Sequence, residues 1–154
     1  MKKTLVFLSL GALGGCFKPV DGDYQITPGD VTTDCETVDA SLDDDLDPVA
    51  VDVNDEKDSM TWGDEHADIS GYSNECTLDG KDFDCLFLDD SGDDGSGTTI
   101  GVQLQISGTW TSNTSVEATM VANGTCEGDG CADYESMGAE FCNTSQELVA
   151  ELVE

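Results

Sequence analysis

The residues with the clearest chemical potential are the cysteines, because a thiol can bind a metal, carry a lipid or form a disulfide. The chain has 7 cysteines in 154 residues, and Cys16 lies apart from the rest near the amino terminus. The others form an even set suited to three disulfides, and they are Cys35, Cys76, Cys85, Cys126, Cys131 and Cys142. Their spacing lacks the paired C-x2-C pattern and the histidines of zinc sites, so we expect no metal at these sulfurs.

Six cysteines allow about 15 pairings, and local sequence favours one of them. Asp79-Gly80 is a strong hairpin-turn signal, and a hairpin around it places Cys76 opposite Cys85. The remaining four sulfurs are expected to pair as Cys126–Cys131 with Cys35–Cys142, or else as Cys35–Cys126 with Cys131–Cys142. We favour the first because its short bridge would clamp a Gly-rich turn and its long bridge would join the two ends of the body.

Carboxylates are the most abundant reactive groups. The chain has 34 aspartate and glutamate residues but only 5 lysine and arginine residues, which gives a formal net charge of −29. Because so few basic side chains cannot neutralise the phosphates of a nucleic acid, we expect no nucleic-acid partner. The carboxylates fit a solvated acidic surface, adaptation to saline surroundings, or binding of divalent cations such as calcium. No stretch matches the EF-hand pattern. The calcium candidates come from a Gly/Ser/Asp-rich stretch and are Asp89, Asp90, Asp93 and Asp94.

The sequence contains few of the residue patterns that enzymes use for catalysis. His66 is the only histidine, and although flanking carboxylates could support it as a general base, an exposed loop histidine is the commoner case. No nucleophile elbow, phosphate-binding loop or histidine pair is present. The chain also has no arginine to clamp a phosphate or carboxylate substrate. We therefore expect a non-enzymatic protein without a cofactor.

The amino-terminal residues have the features of an export signal. Met1-Lys2-Lys3 is followed by an apolar stretch from Leu5, which ends in Leu13-Gly14-Gly15-Cys16. These last four residues resemble the lipobox of bacterial lipoproteins. The resemblance implies cleavage before Cys16, a diacylglycerol on its thiol and usually an acylated amine, which together anchor a protein to a membrane. It implies a signal peptide over 1–15, a lipidated tether over 16–21, and an outer-membrane or cell-surface location.

The body over residues 22–142 has the alternation of antiparallel strands. Apolar residues fall on even positions from 100 to 110 and again from 116 to 126. Pairing these faces sets Trp110 against Val116, Gly108 against Ala118 and Ile106 against Met120. With hairpins at 49–62 and 74–88 and a first strand near Tyr24, about seven strands are predicted. We expect an all-β domain, a small antiparallel meander that forms a barrel or sandwich stapled by disulfides.

The start of the body, Asp21-Gly22-Asp23-Tyr24, is similar to the opening Gly-x-Trp of lipocalins, and this likeness favours an up-and-down barrel. The body resembles no other family. Residues 143–154 are predicted to form a short amphipathic helix or tail, because Thr144-Ser145-Gln146-Glu147 has the form of a capping box.

We expect a membrane-anchored binding module of the cell envelope, with a protein or small-ligand partner. The alternative is a structural or cation-interacting envelope protein with no discrete ligand.

Overall fold

The structure is a computed structural model that describes residues 17–36, 46–64 and 69–153. The strands are β1 (Gly22–Thr33), β2 (Val49–Val53), β3 (Ser59–Trp62), β4 (Glu75–Asp79), β5 (Asp82–Asp93), β6 (Thr99–Ser112), β7 (Ser115–Glu127) and β8 (Asn143–Leu152). The short helix α1 (Cys131–Ser136) lies between β7 and β8. The predicted leader with Cys16 and the segment with His66 lie outside the described residues.

The eight strands form one closed antiparallel barrel in sequence order. Each strand pairs with the next along the chain, and β8 pairs with β1 to close the sheet. The structure thus decides between the barrel and the sandwich that the sequence left open. Closure also satisfies the backbone groups that an open sheet would expose at its two edges.

The longest hairpin, β6–β7, forms because its strands alternate apolar and polar residues. Trp110 lies opposite Val116, Gly108 opposite Ala118, and Ile106 opposite Met120, as predicted. The β4–β5 hairpin likewise has the expected register, with Leu78 opposite Phe83. In each case a shift by one residue would turn an apolar face to water, so burial fixes the pairing.

The carboxyl-terminal segment corrects the sequence prediction, because residues 143–152 are strand β8 and not a helix. Thr144, Gln146, Leu148 and Ala150 are buried on alternate positions, which is the period of a strand. The two polar members of this row concealed that period in the sequence. Hydrogen bonding to both β7 and β1 then decides the conformation, since β8 completes the barrel.

The strands differ in length, and this gives the barrel two unlike ends. The three strands β2, β3 and β4 have 5, 4 and 5 residues, whereas β6 has 14. One end carries the tight β2–β3, β4–β5 and β6–β7 turns and is called here the turn end. The other carries the longer connections, including residues 63–64, 69–74 and 128–142, and is called the loop end.

All three disulfides of the favoured pairing are present. Cys76–Cys85 bridges β4 and β5, Cys126–Cys131 joins the end of β7 to α1, and Cys35–Cys142 links the chain after β1 to the chain before β8. The first lies inside the barrel, where both cysteines are buried. The other two lie at the loop end.

Candidate functional site

A cavity of about 530 Å³ opens at the loop end, where the short strands β2 and β3 meet the connections beyond them. We call it the cup. Its apolar walls come from five elements and comprise Val49, Trp62, Tyr72, Phe87, Leu104 and Ile106. Volumes of this order are typical of small-molecule sites in proteins. The cup exists because β5 and β6 continue past the ends of their shorter neighbours.

Aromatic contacts give the cup its shape. Trp62 is only 3% exposed and stacks on Phe83 with 5.4 Å between ring centroids. The Tyr72 ring lies 6.1 Å from the Phe87 ring. Tyr72 forms an isolated bridge with Leu88, which attaches the connection between β3 and β4 to the edge of β5.

Polar contacts hold the rim of the cup in place. The Tyr72 hydroxyl donates to the Asp64 carbonyl at 3.1 Å, and the Asn74 amide donates to the Gly63 carbonyl at 2.9 Å. Burial, and then the negative charge of Asp64, raise the pKa of Tyr72, which therefore stays protonated near neutral pH. Asp47 and Asp64 also line the opening, so the rim is acidic.

Below the cup the barrel interior is filled with side chains. Met60, Val51, Leu148 and Trp110 are among the buried residues of one continuous core. Met120 is partly buried against it. A ligand in the cup would therefore rest on this core and would not enter the barrel further.

The four calcium candidates are not gathered into one site. Asp89 and Asp90 are successive residues of β5, and their side chains therefore point to opposite faces. In the part of the chain that the structure describes, the only three-residue group with ligand spacing is Asp34, Cys35 and Cys142. Its two sulfurs form a disulfide, so that group offers a single carboxylate.

Asp94 instead organises the loop between β5 and β6. Its carboxylate accepts hydrogen bonds from the Ser96 hydroxyl at 2.6 Å, the Ser96 amide at 2.7 Å and the Tyr134 hydroxyl at 3.0 Å. The Ser96 contacts are the main cause that lowers the pKa of Asp94 to about 2. Tyr134 belongs to α1, so the carboxylate also ties this helix to the β5–β6 loop.

At the turn end, the residues next to the predicted anchor close the barrel. Phe17 packs against Trp110 with 6.1 Å between centroids, and the Lys81 ammonium lies 5.3 Å from the Phe17 ring centroid. Tyr24 meets Trp110 edge-on and donates its hydroxyl to the Val20 carbonyl at 2.6 Å. The Trp110 indole N–H is buried and has no hydrogen-bond partner among the described residues.

Sequence reasoning predicted the sulfur pairs but missed the cup. Trp62 was predicted only as the last residue of the hairpin at 49–62, and Tyr72 belonged to no alternating run. The signal that was available is the aromatic Tyr72 within a Gly- and Ser-rich connection, where a large apolar ring needs a surface to cover it. The surface that the Tyr72 ring covers depends on the unequal strand lengths. The spacing of residues in the sequence does not give those lengths.

No protein-family model, curated protein or solved structure matches this chain. Among the described residues, no helix has the length and apolar character required for a membrane span. The protein is thus defined as a disulfide-linked, closed antiparallel eight-stranded barrel with an open aromatic cup.

Proposed function

We propose that this protein is a lipid-anchored binding module of a bacterial cell envelope, and that the cup binds a small molecule with an apolar body. The observation that carries the proposal is the cup itself, with its aromatic walls and volume of about 530 Å³. Buried apolar walls with a few polar groups at the rim are the usual composition of a ligand site.

The position of the amino-terminal segment supports the anchored arrangement. Phe17, the residue after the predicted lipidated cysteine, packs at the turn end, whereas the cup opens at the loop end. A tether at Cys16 would therefore hold the turn end towards the membrane and present the cup to the surrounding medium. Three disulfides also agree with an oxidising, exported environment.

The binding test uses a neutral apolar fluorescent probe, N-phenyl-1-naphthylamine, titrated into the oxidised protein. We expect saturable binding that is lost in Leu104→Gln, which places a polar amide in the cup wall. Val102→Gln is the matched control, because Val102 lies on the same strand two residues away, is 47% exposed and does not line the cup. Binding that is absent in the native protein, or unchanged in Leu104→Gln, would contradict a ligand site in the cup.

The anchor is tested by the intact mass of the protein purified from a bacterial membrane, with and without reduction. We expect a chain that begins at Cys16, carries acyl groups and gains six hydrogens on reduction of its disulfides. An unacylated start at another residue would remove the anchor and leave the cup as the remaining part of the proposal.

A structural envelope protein without a discrete ligand is the second candidate. The observation that favours it is the filled interior, in which Met60, Trp62 and Trp110 are all buried. It predicts no saturable binding of the probe in either the native protein or its variants.

A further inference from the structure

The charge of the cup restricts which small molecules it can take. Asp23, Asp47 and Asp64 line the opening together with the aromatic walls. No lysine is among the described residues that line it. The chain as a whole carries a formal net charge of −29, so the field at this opening is strongly negative.

The lysines of the described chain lie at the other end of the barrel. Lys57 is in the β2–β3 turn and Lys81 is in the β4–β5 turn. The Lys18 backbone amide donates to the side-chain oxygen of Asn113, in the β6–β7 turn, at 3.2 Å. The three lysines therefore lie towards the turn end, away from the opening of the cup, and none of them lines it.

The aromatic walls add a second preference for a cation. The faces of Trp and Tyr rings carry negative electrostatic potential and attract ammonium groups, most strongly where water is partly excluded. Trp62 is nearly buried, and Tyr72 is fixed by its contacts to Phe87 and to the Asp64 carbonyl. Aromatic side chains and carboxylates thus line one opening, and the charged group of an anionic ligand would be repelled there.

From this combination we infer that the ligand of the cup is an organic cation, with an ammonium group at the acidic rim and an apolar body against the aromatic walls. The inference rests on the proposed function, because it takes the cup as a ligand site and specifies the chemical class of the ligand. It excludes fatty acids and other apolar anions, which a neutral apolar cup of this size could accept.

The test compares three probes that share one apolar body, a phenylbutyl group: 4-phenylbutyltrimethylammonium, 4-phenylbutanol and 5-phenylpentanoate. Isothermal titration calorimetry is carried out with the oxidised protein at low ionic strength. We expect the cation to bind about tenfold more tightly than the alcohol, and the anion to bind most weakly. Addition of NaCl should weaken binding of the cation and leave that of the alcohol unchanged.

Variants separate the rim from the general acidity of the protein. Asp64→Asn is expected to weaken binding of the cation several-fold without changing binding of the alcohol. Asp55→Asn is the matched control, because it removes the same charge from the β2–β3 turn at the far end, and it should leave both affinities unchanged. An equal loss in both variants would mean that the cation senses only net charge, and would overturn the inference.

The outcomes also distinguish this inference from the proposed function. If the alcohol binds as tightly as the cation and Leu104→Gln abolishes both, the cup is a ligand site and the preference for a cation is wrong. If none of the three probes binds, both the inference and the ligand-binding function are wrong.

Discussion

Tyr24 shows how a single buried side chain couples stability to pH. It is fully buried, and burial together with the negative charge of Asp21 raises its pKa to about 12. The folded state therefore holds the phenol proton more tightly than the unfolded chain does. The stabilisation is fully present below the ordinary pKa near 10 and is lost as the pH rises through about 12.

For Tyr24→Phe we expect a flatter decline of the free energy of unfolding between about pH 10 and pH 12, the interval between the ordinary and the raised pKa of this tyrosine. Denaturant titration at each pH measures the decline. Near neutral pH the variant should lose about 1 kcal/mol, because the hydrogen bond to the Val20 carbonyl is absent. Equal slopes for both proteins in the alkaline range would show that Tyr24 is not the group responsible.

Among the strands and turns, the sequence predicted well where one strand side is apolar throughout. The β6–β7 and β4–β5 registers followed from alternation, and the Cys76–Cys85 bridge followed from the Asp79-Gly80 turn. β8 was mistaken for a helix because Gln146 and Thr144 face the interior. The cup was missed because it depends on the length by which β5 and β6 extend beyond the ends of β2 and β3. That length is a property of the assembled sheet.

The tight contact of β6 with β7 at Gly108 gives a test of the register. A Cβ at this position would lie 2.6 Å from both the Ala118 Cβ and the Glu117 carbonyl oxygen. We expect Gly108→Ala to reduce the free energy of unfolding by about 1–3 kcal/mol, since a backbone atom cannot move aside.

Gly92→Ala, on β5, is the matched control because nothing lies within 4 Å of its added Cβ. It should be neutral or slightly stabilising, through a lower entropy of the unfolded chain. Equal stabilities of Gly108→Ala and Gly92→Ala would contradict the close β6–β7 contact at Gly108. Denaturant unfolding followed by tryptophan fluorescence measures both variants.

The two bridges at the loop end should differ in their effect on stability. Cys35–Cys142 spans 107 residues of sequence, whereas Cys126–Cys131 spans 5. Loop-closure entropy then predicts that removing the long bridge, by Cys35→Ser with Cys142→Ser, costs about 2.7 kcal/mol more than the corresponding double variant of the short bridge. Calorimetric unfolding measures both, and a larger loss from the short bridge would contradict an entropic origin.

For the molecule as a whole, the net charge of −29 is the dominant electrostatic feature. Like charges on a compact barrel repel, and dissolved salt screens this repulsion as the Debye length falls. We expect the melting temperature to rise as NaCl increases from about 0.01 M to about 0.5 M, a range over which the Debye length shortens severalfold.

A second titration with CaCl2 at equal ionic strength separates screening from specific cation binding. Because the candidate aspartates Asp89, Asp90, Asp93 and Asp94 are not gathered at one point, the two salts should stabilise the protein to a similar extent. A melting temperature that stays flat or falls with NaCl would contradict the electrostatic account, and a much larger rise with calcium would indicate a specific site.

The position of β1 has a mechanical consequence for a protein held by its amino-terminal end. β1 is hydrogen-bonded on both sides, to β2 and to β8, and it begins beside the turn end. A pull on Phe17 along the barrel axis would load these bonds in shear, all at once. Extraction of the chain would stop at Cys35, because its covalent bridge to Cys142 holds that point to the start of β8.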